Sequence, residues 1–360
     1  MGCSASKPIM EKPPTFGEWN GETYGAYSTY ENESKSSTDS FWTCDKNATQ
    51  TIQFSKIGKG SEAVSPATTV SAMFKDACSK SGNKPFLRVE DVPSTCARGE
   101  TPPPSLPVEE WNCRTYSQTY DECRNVAKGY MSLGLAAMDA VTIYGFNSPE
   151  WVMAELACVL AGGIAAGIYP SDTAEQVTFK AKHSGAVIAV VQNKSKAEMF
   201  LNAKKDLPKL KAIIVWDTSD GVPAETGGVK IMSWNDLVEQ GSSSAADADL
   251  DSRMDAQKPG QCCAYIYTSG TTGMPKAVMI SHDNILFESA AANNLIAGMG
   301  EDANKGKKKE KNRKIRYLSL TLRTITDTSH QNNIFLFSFF FFHSFVVFLS
   351  LLLFFFIHYR

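Results

Sequence analysis

The sequence predicts an α/β protein: a mostly parallel sheet with helices on both faces, plus an apolar C-terminal tail. Three observations predict it. Between residues 141 and 216 short apolar runs alternate with longer stretches of helical periodicity. The runs are continuously apolar, as strands buried on both faces require, instead of alternating apolar with polar. And 43% of the 360 residues are hydrophobic, which supplies a core and excludes a chain disordered throughout.

Taken in order, residues 1–110 carry many turn formers, among them Pro13-Pro14 and Pro102-Pro103-Pro104, and read as an irregular lead-in with a few short strands. From Tyr116 the pattern sharpens. Tyr120, Cys123, Val126, Ala127, Tyr130, Met131 and Leu133 recur at three and four residues, the spacing of one face of an amphipathic helix, and Gly134 is its stop. Val141 to Tyr144 is the first strand of the main sheet. Ser148 then caps a helix that runs through Leu160, with Pro149 at its first position and Glu150 in its first turn. Ile164 to Tyr169 reads as a strand, Thr173 to His183 as a helix and Ala186 to Val191 as a strand. Lys194 to Leu207 reads as a helix and Ala212 to Trp216 as a strand. The order is βαβαβαβ. Gly241 to Asp255, rich in Ser, Ala and Asp, reads as a solvated connector.

Charge and cysteine usage narrow the function classes. Residues 305–360 hold ten Lys+Arg against two Asp+Glu, so the net charge of −2 divides into −10 for residues 1–304 and +8 for the tail. An acidic body argues against nucleic acid as a partner, because that role needs a basic face to replace phosphate counterions. Nine cysteines are spread without C-x-x-C spacing, which argues against a zinc ribbon or a dithiol redox site, and no metal ligand set is expected. The start, Met1-Gly2-Cys3-Ser4, is followed by Lys7 and Pro8 instead of an apolar stretch, so the expected location is the cytosol.

The chemistry is concentrated between residues 263 and 283. Ala264 to Tyr267 is apolar and β-prone, Thr268 to Gly273 is rich in hydroxyls and glycine, and Lys276 to Ile280 resumes a strand. Gly270 and Gly273 let backbone N–H groups approach an anion. Thr268, Ser269, Thr271 and Thr272 add hydroxyl donors, and Lys276 supplies the positive charge that a polyphosphate demands. The physical reading is a triphosphate cradle. It is not a Walker loop, because Lys276 follows Pro275 and precedes Ala277, leaving no Ser/Thr for Mg²⁺. A Gly/Thr-rich linker with a single Lys is the bland alternative for a generic G-x-x-G.

The string Tyr267-Thr268-Ser269-Gly270-Thr271-Thr272-Gly273-Met274-Pro275-Lys276 resembles the signature phosphate loop of the adenylate-forming superfamily, which contains acyl-CoA synthetases, luciferases and peptide-synthetase adenylation domains. Ala277 stands where that family commonly has Gly. Gly145-Phe146-Asn147-Ser148-Pro149-Glu150-Trp151, Ala161-Gly162-Gly163 and Gly167-Ile168-Tyr169-Pro170 resemble the long-chain fatty acid–CoA ligases of the bubblegum type. The resemblance runs from about Arg114 to about Gly300. It implies the incomplete N-terminal domain of the adenylate-forming fold and a ligase using ATP, Mg²⁺ and coenzyme A. In that reaction a fatty carboxylate attacks the α-phosphate to give acyl-adenylate and pyrophosphate, and the coenzyme A thiolate then displaces AMP. Such chemistry rests on positioning and charge neutralisation, so no side-chain nucleophile is required and no catalytic residue is assigned. His183 is expected on a helix surface and His282 at a helix start, and neither suggests a hydrolase triad.

The family continues with a Tyr-Gly-x-Thr-Glu string whose Glu holds Mg²⁺, a Thr-Gly-Asp whose Asp holds the ribose, and a small domain bearing a catalytic Lys. None of these strings occurs in this sequence. The expected division is therefore a lead-in over 1–110, a partial AMP-binding domain over 111–304, a basic linker over 305–333 and a hydrophobic tail over 334–357. Lys305 to Arg316 holds eight basic residues and one acid, and Ile334 to Ile357 is 24 residues without Asp, Glu, Lys or Arg. That length fits a membrane-spanning helix. The favoured alternative is translated non-coding sequence, since the change falls before the sheet is complete.

Met1-Gly2-Cys3-Ser4-Ala5-Ser6 fits N-myristoylation at Gly2, with Cys3 as an acceptor for palmitate, which would add attachment to the cytosolic face of a membrane. Two functions are carried forward. The first is a long-chain fatty acid–CoA ligase that is truncated and inactive alone, and the second a non-catalytic, membrane-attached nucleotide-binding protein.

Overall fold

A computed structural model describes residues 46–47, 49, 68–90, 106–268 and 275–289. Gly2, Cys3, Ser269, Gly270, Thr271, Thr272, Gly273 and the segments 305–333 and 334–357 lie outside the described residues.

The chain opens with α1 (Val70–Ser81), β1 (Pro85–Val89) and β2 (Asn112–Thr115), the two strands pairing antiparallel as a small sheet of their own. A twelve-residue helix corrects the expectation of an irregular lead-in. Its cause is local: the Thr69 side chain accepts from the Ala72 N–H, and Val70, Phe74, Ala77 and Cys78 fall on one buried face. Thr115, the last residue of β2, caps α2 (Tyr116–Ser132) in a reciprocal box with Gln118. The spacing predicted this helix and its stop, and Gly134 does take a left-handed φ of 88°.

The main sheet follows from β3 (Ala140–Tyr144), α3 (Pro149–Leu160), β4 (Ile164–Ile168), α4 (Ala174–Ser184), β5 (Ala186–Val191), α5 (Lys194–Asn202) and β6 (Ala212–Val215). These elements match the expected βαβαβαβ series. One boundary differs: α5 ends at Asn202, and Lys204–Asp206 forms a separate 3₁₀ turn. Leu207 precedes Pro208, whose ring disfavours a helical residue before it, so the helix cannot reach Leu207.

Two further elements had no counterpart in the sequence reading, β7 (Lys230–Ser233) and α6 (Trp234–Ser242). The connector expected over Gly241 to Asp255 is a second correction, because α7 (Asp247–Ala256) occupies most of it. Its polar composition conceals two apolar residues one turn apart, Leu250 and Met254, and both are buried. Arg124 and Lys128 of α2 reach across to its acids, Arg124 to Asp247 at 2.9 Å and Asp251 at 2.6 Å, Lys128 to Asp247 at 3.1 Å. Finally β8 (Cys262–Thr268) and β9 (Lys276–Ser281) form an antiparallel pair.

Among the described residues the main sheet has seven strands in the order β7-β6-β5-β3-β4-β8-β9, parallel throughout except at β8–β9. Alternate side chains along each strand enter one of two cores. Val141, Ile143, Ala165, Ile188, Val190, Ile214 and Cys263 pack against α1, α2, α3, α6 and α7. Tyr144, Ile168, Ala189, Val191, Ile213 and Val215 pack against α4 and α5. Helices thus cover both faces, as the continuously apolar strands foretold. Among the described residues no helix is long and apolar enough to cross a membrane.

Candidate functional site

Because β3 to β8 run parallel, their carboxyl ends (Tyr144, Ile168, Val191, Val215, Ser233 and Thr268) lie along one edge of the sheet. Open α/β sheets take their ligands outside that edge. Thr268 and Lys276 close the β8–β9 hairpin there as Cα partners, and Thr268 Oγ1 donates to the Lys276 carbonyl at 3.4 Å. The structure thus brings together the two ends of the hydroxyl- and glycine-rich segment, with Lys276 exposed.

The strand before the segment is held from beneath. Tyr267 is 2% exposed, and its Oη donates to the Lys180 carbonyl of α4 at 3.1 Å. His183 Nδ1 lies 3.1 Å from the same oxygen, so the imidazole expected on a helix surface is indeed exposed but also braces the hairpin. Burial is the main cause of a raised pKa at the Tyr267 phenol, which therefore stays neutral.

Sequence reasoning missed the group beside it. Lys180 forms a close ion pair with Asp172, their side chains 3% and 10% exposed. The Lys180 Nζ also sits 4.7 Å from the centroid of the Tyr169 ring and 5.6 Å from that of Tyr267. Asp172 Oδ2 accepts from the Tyr169 N–H at 3.1 Å, which fixes the turn leaving β4. One signal could have found Lys180: it falls with Val177 and Ala181 on the buried face of α4, where an unpaired charge would be costly.

The strand after the segment is held as well. His282 begins the helical stretch 282–289, as expected, yet it is 3% exposed and its Nδ1 accepts from the Val70 N–H at 3.3 Å. Burial lowers its pKa to about 4, so the ring is neutral at physiological pH and the lone pair on Nδ1 is available. Ser281 and Asn284 exchange two hydrogen bonds of 3.1 Å at the same turn.

The second set of motif residues is architectural. Ser148 Oγ accepts from the Trp151 N–H at 3.1 Å as the cap of α3. Gly162 takes a φ of 74°, and a Cβ at Gly163 would meet Cys158 Sγ at 2.9 Å and the Asp139 carbonyl at 3.1 Å. The turn from α3 into β4 therefore needs both glycines. Among the described residues no group of three His, Cys, Asp or Glu could hold a metal ion.

Known proteins share this architecture and sequence. The A domain of carboxylic acid reductase from Segniliparus rugosus, solved with AMP and a co-purified carboxylic acid, superposes with a TM-score of 0.51 at 16% identity, covering 65% of this chain and 39% of that one. The adenylation domain of a carboxylate reductase from Mycobacterium chelonae gives 0.50 at 18% identity over 62% and 36%. These likenesses show the fold. In sequence, a long-chain-fatty-acid–CoA ligase of Xenopus laevis is 40% identical over 188 residues, 52% of this chain and 25% of the relative. One of Gallus gallus is 35% identical over 252 residues, 70% and 30%, and one of Homo sapiens 32% identical over 255 residues, 71% and 34%. The chain spans about a quarter to a third of the length of these relatives. The profile described as AMP-binding enzyme matches residues 90–325, wider than the stretch from Arg114 to Gly300 that carried the resemblance and reaching into the basic run. With more than half of its length matched, the chain belongs to the AMP-binding enzyme family.

Proposed function

We propose that this chain carries the triphosphate-binding portion of a long-chain fatty acid–CoA ligase. The observation that carries the reading is the placement of Thr268 and Lys276 as the closing pair of a hairpin at the carboxyl edge of the parallel sheet. ATP is the nucleotide, a long-chain fatty acid the carboxylate and coenzyme A the thiol, in keeping with the names of the curated relatives. In this reading Lys276 neutralises the phosphate oxygens that gather charge as pyrophosphate leaves. Thr268, Ser269, Thr271 and Thr272 donate hydroxyls, and Gly270 and Gly273 let the backbone approach. Tyr267 and His282 take no part in bond making. They hold the two strands between which the segment is strung.

The ligase reading takes Mg²⁺ together with ATP; among the described residues no group of three His, Cys, Asp or Glu would hold the ion, and no step is derived through it. Nor does the chain contain the Tyr-Gly-x-Thr-Glu and Thr-Gly-Asp strings that serve metal and ribose in the resembling family. The 360-residue chain accordingly binds ATP but does not exchange pyrophosphate into it. Its fatty substrate partitions into bilayers, and acylation at Gly2 and Cys3 would keep the chain at a membrane surface. Loss of myristate incorporation in Gly2→Ala checks that point.

Isothermal titration of ATP into the chain tests the central claim. Binding is expected in the wild type and a loss of at least about tenfold in Lys276→Ala, since one charge-assisted contact is worth about 1.5–3 kcal/mol. The exposed Lys276 should leave the melting temperature without ATP unchanged. Equal affinity in both proteins would remove Lys276 from the site.

A further inference from the structure

The Lys180 cluster lies where the two adjacent strands β4 and β8 end. Tyr169 is the first residue beyond β4 and Tyr267 the penultimate residue of β8. The ammonium of Lys180 stands over both rings, its counter-ion Asp172 grips the Tyr169 N–H, and the Lys180 carbonyl accepts from the Tyr267 hydroxyl. One residue of α4 thereby contacts both strand ends through its side chain and one of them again through its backbone. Burial alone lowers the pKa of this ammonium and Asp172 opposes the shift, so the carboxylate is what keeps the charge in place.

A buried ion pair is weak evidence for stability, because the cost of removing two charges from water offsets most of their attraction. What such a pair supplies is a single geometry. An apolar residue at position 180 could fill the same space, but it would not be directed at two ring faces and a carboxylate at once.

We propose that the Lys180–Asp172 pair, seated against Tyr169 and Tyr267, is a positioning pair that sets the carboxyl end of β8 and so the attitude from which the phosphate-binding segment leaves the sheet. This deepens the nucleotide reading above and rests on it for its ligand. The pair touches no substrate. Its effect travels through Tyr267 to Thr268, the next residue on the strand.

The test uses the full chain and ATP itself. Lys180→Met combined with Asp172→Asn removes both charges yet leaves an oxygen at position 172 to accept from the Tyr169 N–H. Its melting temperature without ATP should stay within about 3 °C of wild type, as neutral replacement of buried pairs commonly allows. Its affinity for ATP should fall at least about tenfold, since catalytic and binding groups must be held to roughly 0.5 Å. Hydrogen exchange without ATP should quicken at the amides of β8 and β9 and stay unchanged in β5 and β6. Should the double variant melt far below wild type, Asp172→Glu keeps the charge at altered reach and is expected to weaken ATP binding with stability retained. Wild-type affinity together with wild-type exchange in a folded variant overturns the proposal. If the wild-type chain fails to bind ATP, the nucleotide reading falls. Exchange then decides the positioning role: faster exchange confined to the hairpin sustains it, and unchanged exchange ends it.

Discussion

The His282 imidazole accepts a hydrogen bond from the Val70 N–H, 212 residues earlier in the chain, and so joins the turn after β9 to the first turn of α1. That N–H is one of the donors a helix start leaves without an intrahelical partner, and burial leaves the ring as its acceptor. Protonation would place two donors face to face.

The consequence is a pH dependence with a defined sign. The folded-state pKa of His282, about 4, lies below the ordinary value of 6.5, so its contribution to stability is complete above 6.5 and is lost as pH falls toward 4. The span corresponds to about 3 kcal/mol. Urea titrations of wild type and His282→Asn between pH 3.5 and 8 should show the loss in the wild type and a flatter profile in the variant, whose amide oxygen accepts at any of these pH values. Parallel profiles would show that another group governs the acid limb.

Glu155 on α3 titrates with the opposite consequence. Its Oε2 is buried without a hydrogen-bond partner among the described residues, and burial raises its pKa to about 7. The folded state therefore holds its proton more tightly than the unfolded chain, and stability declines as pH rises from 4.5 through 7. Glu155→Gln removes the charge and keeps the shape. At pH 8 it should exceed the wild type by about 3 kcal/mol, with little difference at pH 4.5, in the same denaturant assay. A variant no more stable at pH 8 would mean the carboxylate is solvated after all.

The attachment of α7 separates apolar from ionic contributions. Leu250 is fully buried, whereas Asp247 is 57% exposed despite its contacts with Arg124 and Lys128. Leu250→Ala should cost about 2–5 kcal/mol and Asp247→Ala less than about 1 kcal/mol, measured by chemical unfolding. The reverse ranking would make the ion pairs the principal fastening.

Gly163 is expected to tolerate nothing larger than hydrogen. A methyl group there meets the Cys158 sulfur and the Asp139 carbonyl inside normal contact distance, and the carbonyl belongs to backbone that already accepts from the Ile164 N–H. Gly163→Ala should lower stability by about 1–3 kcal/mol. A melting temperature equal to wild type would show that the turn can open by a few tenths of an ångström.

The parallel sheet was legible because its signal is local and redundant: β3, β4, β5 and β6 are unbroken apolar runs, and Ser148, Thr173 and Asn193 cap the helices between them. β7 and α7 were not, since Lys230–Ser233 holds only Ile231 and Met232 as apolar residues and α7 shows only Leu250 and Met254 buried amid acids. Their structure comes from neighbours, β6 for the one and α2 for the other. The site divided in the same way. Thr268 and Lys276 were marked by the motif between them, whereas Asp172, Lys180 and Tyr267 are eight and eighty-seven positions apart and meet only once β4 and β8 lie side by side. Periodicity within a window cannot register a meeting of that kind.

The parallel neighbour of β8 is β4, not β7, although three strands, β5 to β7, separate them in sequence. Closing so long a loop is entropically slow, while the pairs β3–β4, β5–β6 and β6–β7 each join strands consecutive in the sequence, and β3–β5 skips only one. During synthesis the five strands from β3 to β7 can therefore assemble before the hairpin leaves the ribosome, and the hairpin docks onto a finished edge. If the hairpin holds a nucleotide, ligand response would report whether that docking has occurred.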